Sequence, residues 1–162
     1  MSLPDNVRVE KLSFLQLEEV IKLFRQDELL TMLKFNDLKE SMLDGDTIEV
    51  VMTDTDIIIG AIWYCSWESD SRGIESVVVD SEHRNKGIGS LLLKLVEPNE
   101  IHPRNYMSVA DDNFRGLSFL KKRGYIATRE VKFDDDIRYV MQKDYDIPVT
   151  LELKNRLKWR ST

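Results

Sequence analysis

Residues 77–97, VVVDSEHRNKGIGSLLLKLVE, constrain the fold of this chain more than any other stretch. Three successive valines suit a strand buried on both faces. After a charged turn, Ile88, Leu92 and Leu95 recur at i, i+4 and i+7, the spacing of one helix face, and Pro98 ends that helix near Glu97. A loop leaving a buried strand for a helix points the helix's first unpaired N–H groups into the space beyond the strand's end, where anionic phosphates bind. Gly87 and Gly89 place no Cβ in a phosphate's path, and Arg84 and Lys86 add charge beside it. The segment therefore reads as a pyrophosphate cradle.

Two common phosphate motifs do not fit it. A P-loop requires Gly-Lys-Ser/Thr after four spacer residues, but Ser90 here follows a glycine. A Rossmann fingerprint requires a third glycine where this chain has Leu92, and its first glycine follows the strand directly, whereas Asp80 to Lys86 intervene.

The remaining chain reads as one unit, without repeats or a proline-rich linker. A short strand at 6–12 precedes a helix with Ser13 as N-cap and Leu17, Val20, Ile21 and Phe24 on one face. A second helix is expected over 27–43, stopping at Asp44-Gly45. Strands follow at 46–53 and 57–67 around a hairpin turn at 54–56, then at 73–80. After the helix from Gly87 come a strand at 105–110, an Asp-capped helix over 112–123 closed by Gly124, and strands at 125–131 and 137–142. The order is β-α-α-β-β-β-α-β-α-β-β. Residues 144–162 carry no decisive pattern.

Charge and cysteine usage narrow the function. With 23 Lys and Arg against 29 Asp and Glu, the net charge is −6 and the pI about 5.0, which disfavours a general grip on nucleic acid or an anionic membrane and favours a cationic substrate. Cys65 has no partner for an internal disulfide, and with only His83 and His102 beside it no metal site is expected. Apolar runs such as IIIGAIWYC fall short of the roughly 20 residues that span a bilayer, and the N-terminus lacks a signal-peptide core. A cytoplasmic protein is expected.

The spacing Arg84-x-x-Gly87-x-Gly89 after a strand ending in Val79 resembles the acetyl-CoA loop of the GNAT superfamily of N-acetyltransferases. Downstream, ADDNFRGLSFLKKRGY resembles the family's second motif: an Asn after the next strand, a short helix, then Gly followed by an aromatic residue. The resemblance implies an α/β (α+β) fold with a mixed, mostly antiparallel sheet, a central V-shaped splay and helices on both faces. It implies a single acetyltransferase domain over 1–162, with its motif-bearing core at about 6–143. It also implies that acetyl-CoA lies between the strands bearing Val77, Val78 and Val79 and Met107 to Ala110. The backbone of Lys86, Gly87, Ile88, Gly89 and Ser90 would hold its pyrophosphate. Arg84, Asn85 and Asn113 are further cofactor contacts, and the N–H of Val79 would face the thioester oxygen. The basic run 121–123 suits a helix C-terminus, where cations meet the dipole, although the resemblance implies that basic residues nearby can also meet the ribose phosphate.

Direct acetyl transfer to a primary amine needs the amine neutral, and an alkylamine titrates near pH 10. Glu75, on the strand leading to the loop, is the candidate base, sharing a face with Val77 and Val79 if that strand is regular. Two positions depart from the family pattern. Ser108 stands where many members carry Glu, and Leu120 stands where many carry the Tyr that protonates the departing thiolate. Tyr125 reads as a packed residue rather than a substitute acid. These departures keep open an alternative: a degenerate member that binds CoA as a regulatory or assembly module. The acceptor side in the family would be lined by 27–43 and by IWYCSWESD, where Asp27, Trp63, Tyr64, Trp67 and Glu68 could meet an amine or could simply be core residues. The expected partner is an amine-bearing small molecule, peptide or protein, and a homodimer is left open.

Overall fold

A computed structural model describes Pro4, residues 6–68 and residues 70–146; the C-terminal stretch from 147 lies outside the described residues. Seven strands form one sheet: β1 (Val7–Lys11), β2 (Thr47–Thr53), β3 (Ile58–Trp67), β4 (Ser71–Val79), β5 (Arg104–Ala110), β6 (Ile126–Phe133) and β7 (Asp136–Asp144). Their spatial order is β1-β2-β3-β4-β5-β7-β6. Every pair is antiparallel except β4 with β5. Short turns can join antiparallel neighbours, but the parallel pair needs a crossover, and the leucine-rich helix α3 (Ile88–Leu95) supplies it.

Two cores lie on opposite faces of this sheet. Helices α1 (Leu17–Phe24) and α2 (Phe35–Leu43) cover one face, where Leu17, Val20, Phe24 and Leu38 are fully buried against Ile48, Val50, Ala61, Trp63 and Val78. On the other, α3 and α4 (Phe114–Lys121) pack Ile88, Leu92, Leu117 and Leu120 onto Val51, Ile62, Ile74, Val109 and Met141. Each fully buried aliphatic or aromatic side chain contributes about 1.5–3 kcal/mol, so both helical layers are held chiefly by apolar burial. The two faces thus match the expected architecture.

Three local expectations are corrected. The helix expected over 27–43 is broken: a 3-10 turn at Glu28–Leu30 and an irregular stretch precede α2. Arg25 donates from Nε and Nη2 to the Leu33 carbonyl at 2.9 and 2.7 Å, and the Asp37 carboxylate accepts the Lys34 N–H at 3.2 Å, so the chain restarts there with a capped N-terminus. The helix over 112–123 is capped by Asn113, not Asp: Asn113 Oδ1 accepts the Gly116 N–H at 2.9 Å. The strands also overrun their expected ends, β4 beginning at Ser71 and the β6–β7 hairpin extending from Ile126 to Asp144, because cross-strand pairing carries polar residues that pattern alone assigns to loops.

Ser13 opens the helical segment as expected, though through a 3-10 turn at Phe14–Gln16, where the Gln16 amide oxygen accepts the Ser13 N–H at 3.0 Å. The hairpin between β2 and β3 turns on Asp56, whose φ is 64°.

Candidate active site

β4 and β5 pair only from Ser71↔Arg104 to Ile74↔Met107. Beyond that point Ser76 to Val79 pairs with β3 alone, and Ser108 to Ala110 pairs with β7 alone, so the sheet opens between the two strands. Backbone direction within the opening follows from one bond. The Asp80 N–H donates to the Ile59 carbonyl at 2.8 Å, and N–H groups alternate sides along a strand, so Val78 and Ser76 address β3 while Val77 and Val79 address the gap. The Val78 side chain is buried against α1 and α2. Val77 and Val79 therefore offer the opening their backbone, and Val78 holds the strand in place.

The loop beyond Val79 is built by local bonds. Asp80 accepts from the Glu82 N–H at 3.3 Å and sits 2.9 Å from His83 Nδ1; that imidazole bond lowers the Asp80 pKa. Arg84 donates from Nε to the Val79 carbonyl at 3.2 Å, tying its guanidinium to the strand end. Asn85 and Gly87 then take left-handed φ values of 62° and 83°, which turn the chain sharply into α3. At Gly87 glycine is the residue that adopts this without a Cβ penalty. Among the described residues, no protein acceptor meets the N–H groups of residues 86–90, and they fan out at the helix N-terminus below the gap.

Two residues make packing contacts beyond those expected of them. An added Cβ at Gly89 would meet Phe119 Cζ at 2.9 Å and Cε2 at 3.1 Å, so this glycine lets α4 approach α3. Arg123, read from the sequence as a dipole-favoured residue at a helix C-terminus, reaches across to α3. Its Nε donates to Ser90 Oγ at 2.9 Å, with Nη2 on the same oxygen, and Nη1 donates to the Phe119 carbonyl at 2.8 Å. The guanidinium stacks over the Phe119 ring at 3.7 Å. Burial lowers the Arg123 pKa. A cation beside the positive end of α3 is electrostatically costly unless an anion joins it. Residue spacing could not reveal this pairing, since Ser90 and Arg123 meet only once α4 packs on α3.

On the α1/α2 face, β4 departs from regularity where the candidate base lies. Trp63 pairs with Ser76 but Tyr64 with Ile74, leaving Glu75 as the extra residue of a β-bulge. The expectation that Glu75 shares a face with Val77 and Val79 is thereby overturned. Ile74 turns to the α3/α4 core with Val77 and Val79, while Glu75 lies 4.0 Å from Cys65 Sγ. Although Glu75 has an exposed surface, surrounding protein desolvates its carboxyl; this effect, then the charge of Asp46, raises its pKa. The same desolvation, with Asp46 and Glu75, raises Cys65 and keeps it a thiol. Trp63 is buried, tilted against Phe24 at 5.7 Å, and donates its indole N–H to Asp46 Oδ2 at 2.9 Å. Asp27 caps the Leu29 N–H at 3.0 Å and accepts the Ser76 hydroxyl at 2.8 Å, pinning the segment before α2 onto β4. Trp67, 46% exposed, tilts against Tyr106 at 5.7 Å.

Tyr64 belongs to the other face, where its hydroxyl donates to Glu49 at 3.0 Å and burial pushes its pKa up to about 12. Glu68 sits in the β3–β4 turn at φ 56°. The structure therefore brings Asp27, Trp63 and Trp67 to the Glu75 side and leaves Tyr64 away from it.

Residues 16–144 match the acetyltransferase (GNAT) domain. The chain belongs to the GNAT acetyltransferase family. Solved structures similar to this GNAT chain include the PaiA N-acetyltransferase of Thermoplasma acidophilum in complex with coenzyme A, at 20% identity and TM-score 0.69 over 86% of this chain and 99% of that one. A GNAT-family acetyltransferase of Bacillus cereus superposes at 19% identity and TM-score 0.70, covering 86% of this chain and 98% of that one. Ard1 of Thermoplasma volcanium does so at 20% identity and TM-score 0.72, covering 86% and 98%. The Bacillus subtilis (strain 168) protein YdhI is 38% identical over 71 residues; the aligned stretch is 42% of this chain and 42% of YdhI's own length.

Against the family pattern, the two departures in this GNAT chain have structural settings. Leu120 is 2% exposed and packed among Leu92, Leu117 and Tyr125, so the position is part of the core. Ser108 is an exposed residue on the gap-flanking end of β5. Tyr125 is buried, accepts the Asn105 amide N–H at 3.1 Å, and has its pKa pushed up to about 12 by burial. It packs, as expected, and lies just before β6. The backbone groups of Val77 and Val79 in the gap, together with the fan of N–H groups at 86–90, fit an extended amide-bearing arm ending in a diphosphate, the shape of CoA.

Proposed function

We propose that this protein moves an acetyl group from acetyl-CoA to a primary amine by direct transfer. The observation that carries the reading is the opening between β4 and β5, which leads from the unpaired N–H groups of α3 toward Glu75. Bound there, acetyl-CoA supplies the acetyl group as a thioester, a carbonyl carbon open to a nucleophile and joined to a sulfur that leaves with its electron pair. The chain's residues supply the rest. Residues 86–90 bind the diphosphate through backbone N–H groups, with Lys86 and Arg123 adding charge. Val77 pairs with the pantetheine arm. The Val79 N–H faces the thioester oxygen, where a fixed donor stabilises growing negative charge. Glu75 accepts the amine's proton directly or through a water, and its raised pKa brings it closer to the operating pH, which suits a general base. With Leu120 at the usual Tyr position, solvent protonates the departing sulfur.

One observation favours a second reading, a CoA-binding regulatory or assembly module. The site where a hydroxyl acid would stand is closed by a buried leucine. An acetyl-CoA consumption screen across small amines, amino acids and peptides separates the two. Turnover above background hydrolysis supports acetyl transfer; CoA binding with no turnover supports the module. Ligand at 100 times its Kd adds about 2.7 kcal/mol of stability. Absence of a thermal shift at millimolar CoA removes both.

A further inference from the structure

Ser90 brings a hydroxyl as well as a backbone N–H to the start of α3. It is the third residue of that helix, counting from Ile88, and helical side chains lean toward the helix N-terminus. Its Oγ therefore lies at the end where the N–H groups of residues 86–90 stand unbonded. Two guanidinium N–H groups of Arg123, from Nε at 2.9 Å and from Nη2, both end on Ser90 Oγ. A serine oxygen has two lone pairs and one hydrogen, so this fork fills its accepting capacity and leaves the hydroxyl able only to donate. A helical serine can bond back to a carbonyl one turn earlier, but among the described residues the Ser90 hydrogen meets no acceptor.

The fork is held from the α4 side. The Arg123 backbone N–H donates to the Leu120 carbonyl at 3.0 Å, which leaves the Phe119 carbonyl as an orphan of the helix end. Arg123 Nη1 fills it at 2.8 Å, where the helix dipole also favours a cation. The guanidinium lies over the Phe119 ring at 3.7 Å, and that ring is seated against Gly89. The contacts run in one chain from Gly89 through Phe119 and Arg123 back to Ser90.

We propose that Arg123 is a positioning residue for the cofactor: its guanidinium fork makes the Ser90 hydroxyl an obligate donor, and that hydroxyl bonds the CoA diphosphate beside the free N–H groups of α3. The role differs from a direct contact with the ribose phosphate, the other one open to a basic residue here. The proposal rests on the diphosphate lying at residues 86–90 and is independent of whether an acetyl group is then transferred. A hydroxyl that accepts from a cation is polarised, which makes its hydrogen a better donor to an anion. The fork also keeps the serine from turning a lone pair toward the phosphate, where two acceptors would repel.

Calorimetric titration with CoA reads the effect without any turnover. Ser90→Ala favours the helix, removes the donor, and should weaken CoA binding about 10- to 100-fold, the range of one hydrogen bond to a charged group; Ser90→Thr should restore it. Arg123→Lys keeps the charge but has no planar fork, so it should weaken binding about as much, whereas a residue supplying charge alone would tolerate lysine. In the Ser90→Ala background, Arg123→Lys should change affinity by no more than about twofold. Dephospho-CoA, which keeps the diphosphate and lacks the ribose phosphate, should show the same loss on Ser90→Ala. Unchanged CoA affinity in either single variant overturns the proposal. So does a loss seen with CoA but not with dephospho-CoA, which would put the contact at the ribose phosphate. Amide NMR shifts of Gly87, Ile88 and Gly89 on adding CoA to the wild type test the placement of the diphosphate itself. If they do not move, placement and proposal fall together; if they move while Ser90→Ala binds CoA as tightly as wild type, the proposal alone falls.

Discussion

Replacing Gly89 by Ala tests whether this glycine serves the cofactor or the packing of two helices. The added Cβ would fall 2.9 Å from Phe119 Cζ, closer than real Cβ atoms come, so the ring must move. That ring is not free: Arg123 stacks on it at 3.7 Å and bonds both Ser90 and the Phe119 carbonyl. Overpacking of this kind costs about 1–3 kcal/mol, offset by the roughly 1 kcal/mol that alanine gains over glycine within a helix. In the wild-type background the substitution should therefore destabilise by up to about 2 kcal/mol, each kcal/mol lowering Tm by about 2–4 °C for a domain of this size. In a Phe119→Leu background the contact is gone, and the same substitution should stabilise by about 1 kcal/mol. The four proteins form a cycle, measured by urea denaturation, with an expected coupling of about 1–3 kcal/mol. CoA titration supplies the second readout, and affinity in the double variant should equal that of Phe119→Leu alone. Equal effects of Gly89→Ala in both backgrounds, or CoA binding lost in both, would refute the packing argument and restore the phosphate as the reason for the glycine.

Other substitutions test the remaining site. Glu75→Gln should leave CoA binding intact and lower kcat/KM by about 10²- to 10⁴-fold, with the defect shrinking as pH nears the amine's own pKa. Because folding raises the Glu75 pKa, the ionised carboxylate costs stability once pH exceeds the ordinary Glu range, whereas below that range both states are protonated. Glu75→Gln should accordingly raise Tm at pH 7 and not at pH 4, and a Tm gain independent of pH would contradict the desolvation argument. Arg123→Leu removes the guanidinium from Ser90 and should weaken CoA binding more at low salt than at high salt; equal affinity at both would make Arg123 a packing residue only. Asn105→Ala leaves the Val96 carbonyl without its 2.6 Å donor and the Tyr125 hydroxyl without its 3.1 Å donor, an expected loss of about 1–3 kcal/mol by chemical denaturation without a change in CoA affinity.

Much of the scaffold was legible in residue order because its signals are local. The valine run, the paired glycines and the leucines at helical spacing lie within one strand-turn-helix, and their chemistry requires no distant partner to be read. The same holds for the element order and for the two amphipathic helix pairs that cover opposite faces. What sequence could not decide is every feature set by contact between distant segments. The break before α2 depends on Arg25 finding the Leu33 carbonyl, against a helical pattern that runs through it. The direction of Glu75 depends on a bulge opposite Trp63 and Tyr64, and a period-2 reading puts the carboxylate on the wrong face. Asp46 gave no signal at all, since a lone acid after a glycine reads as a helix end until the Trp63 indole and the neighbouring strands are placed around it. Sequence alone determined where backbone could bind an anion, because that follows from local geometry. Tertiary structure decided on which face of the sheet Glu75 lies, because only the strand register and the bulge opposite Trp63 and Tyr64 set its direction.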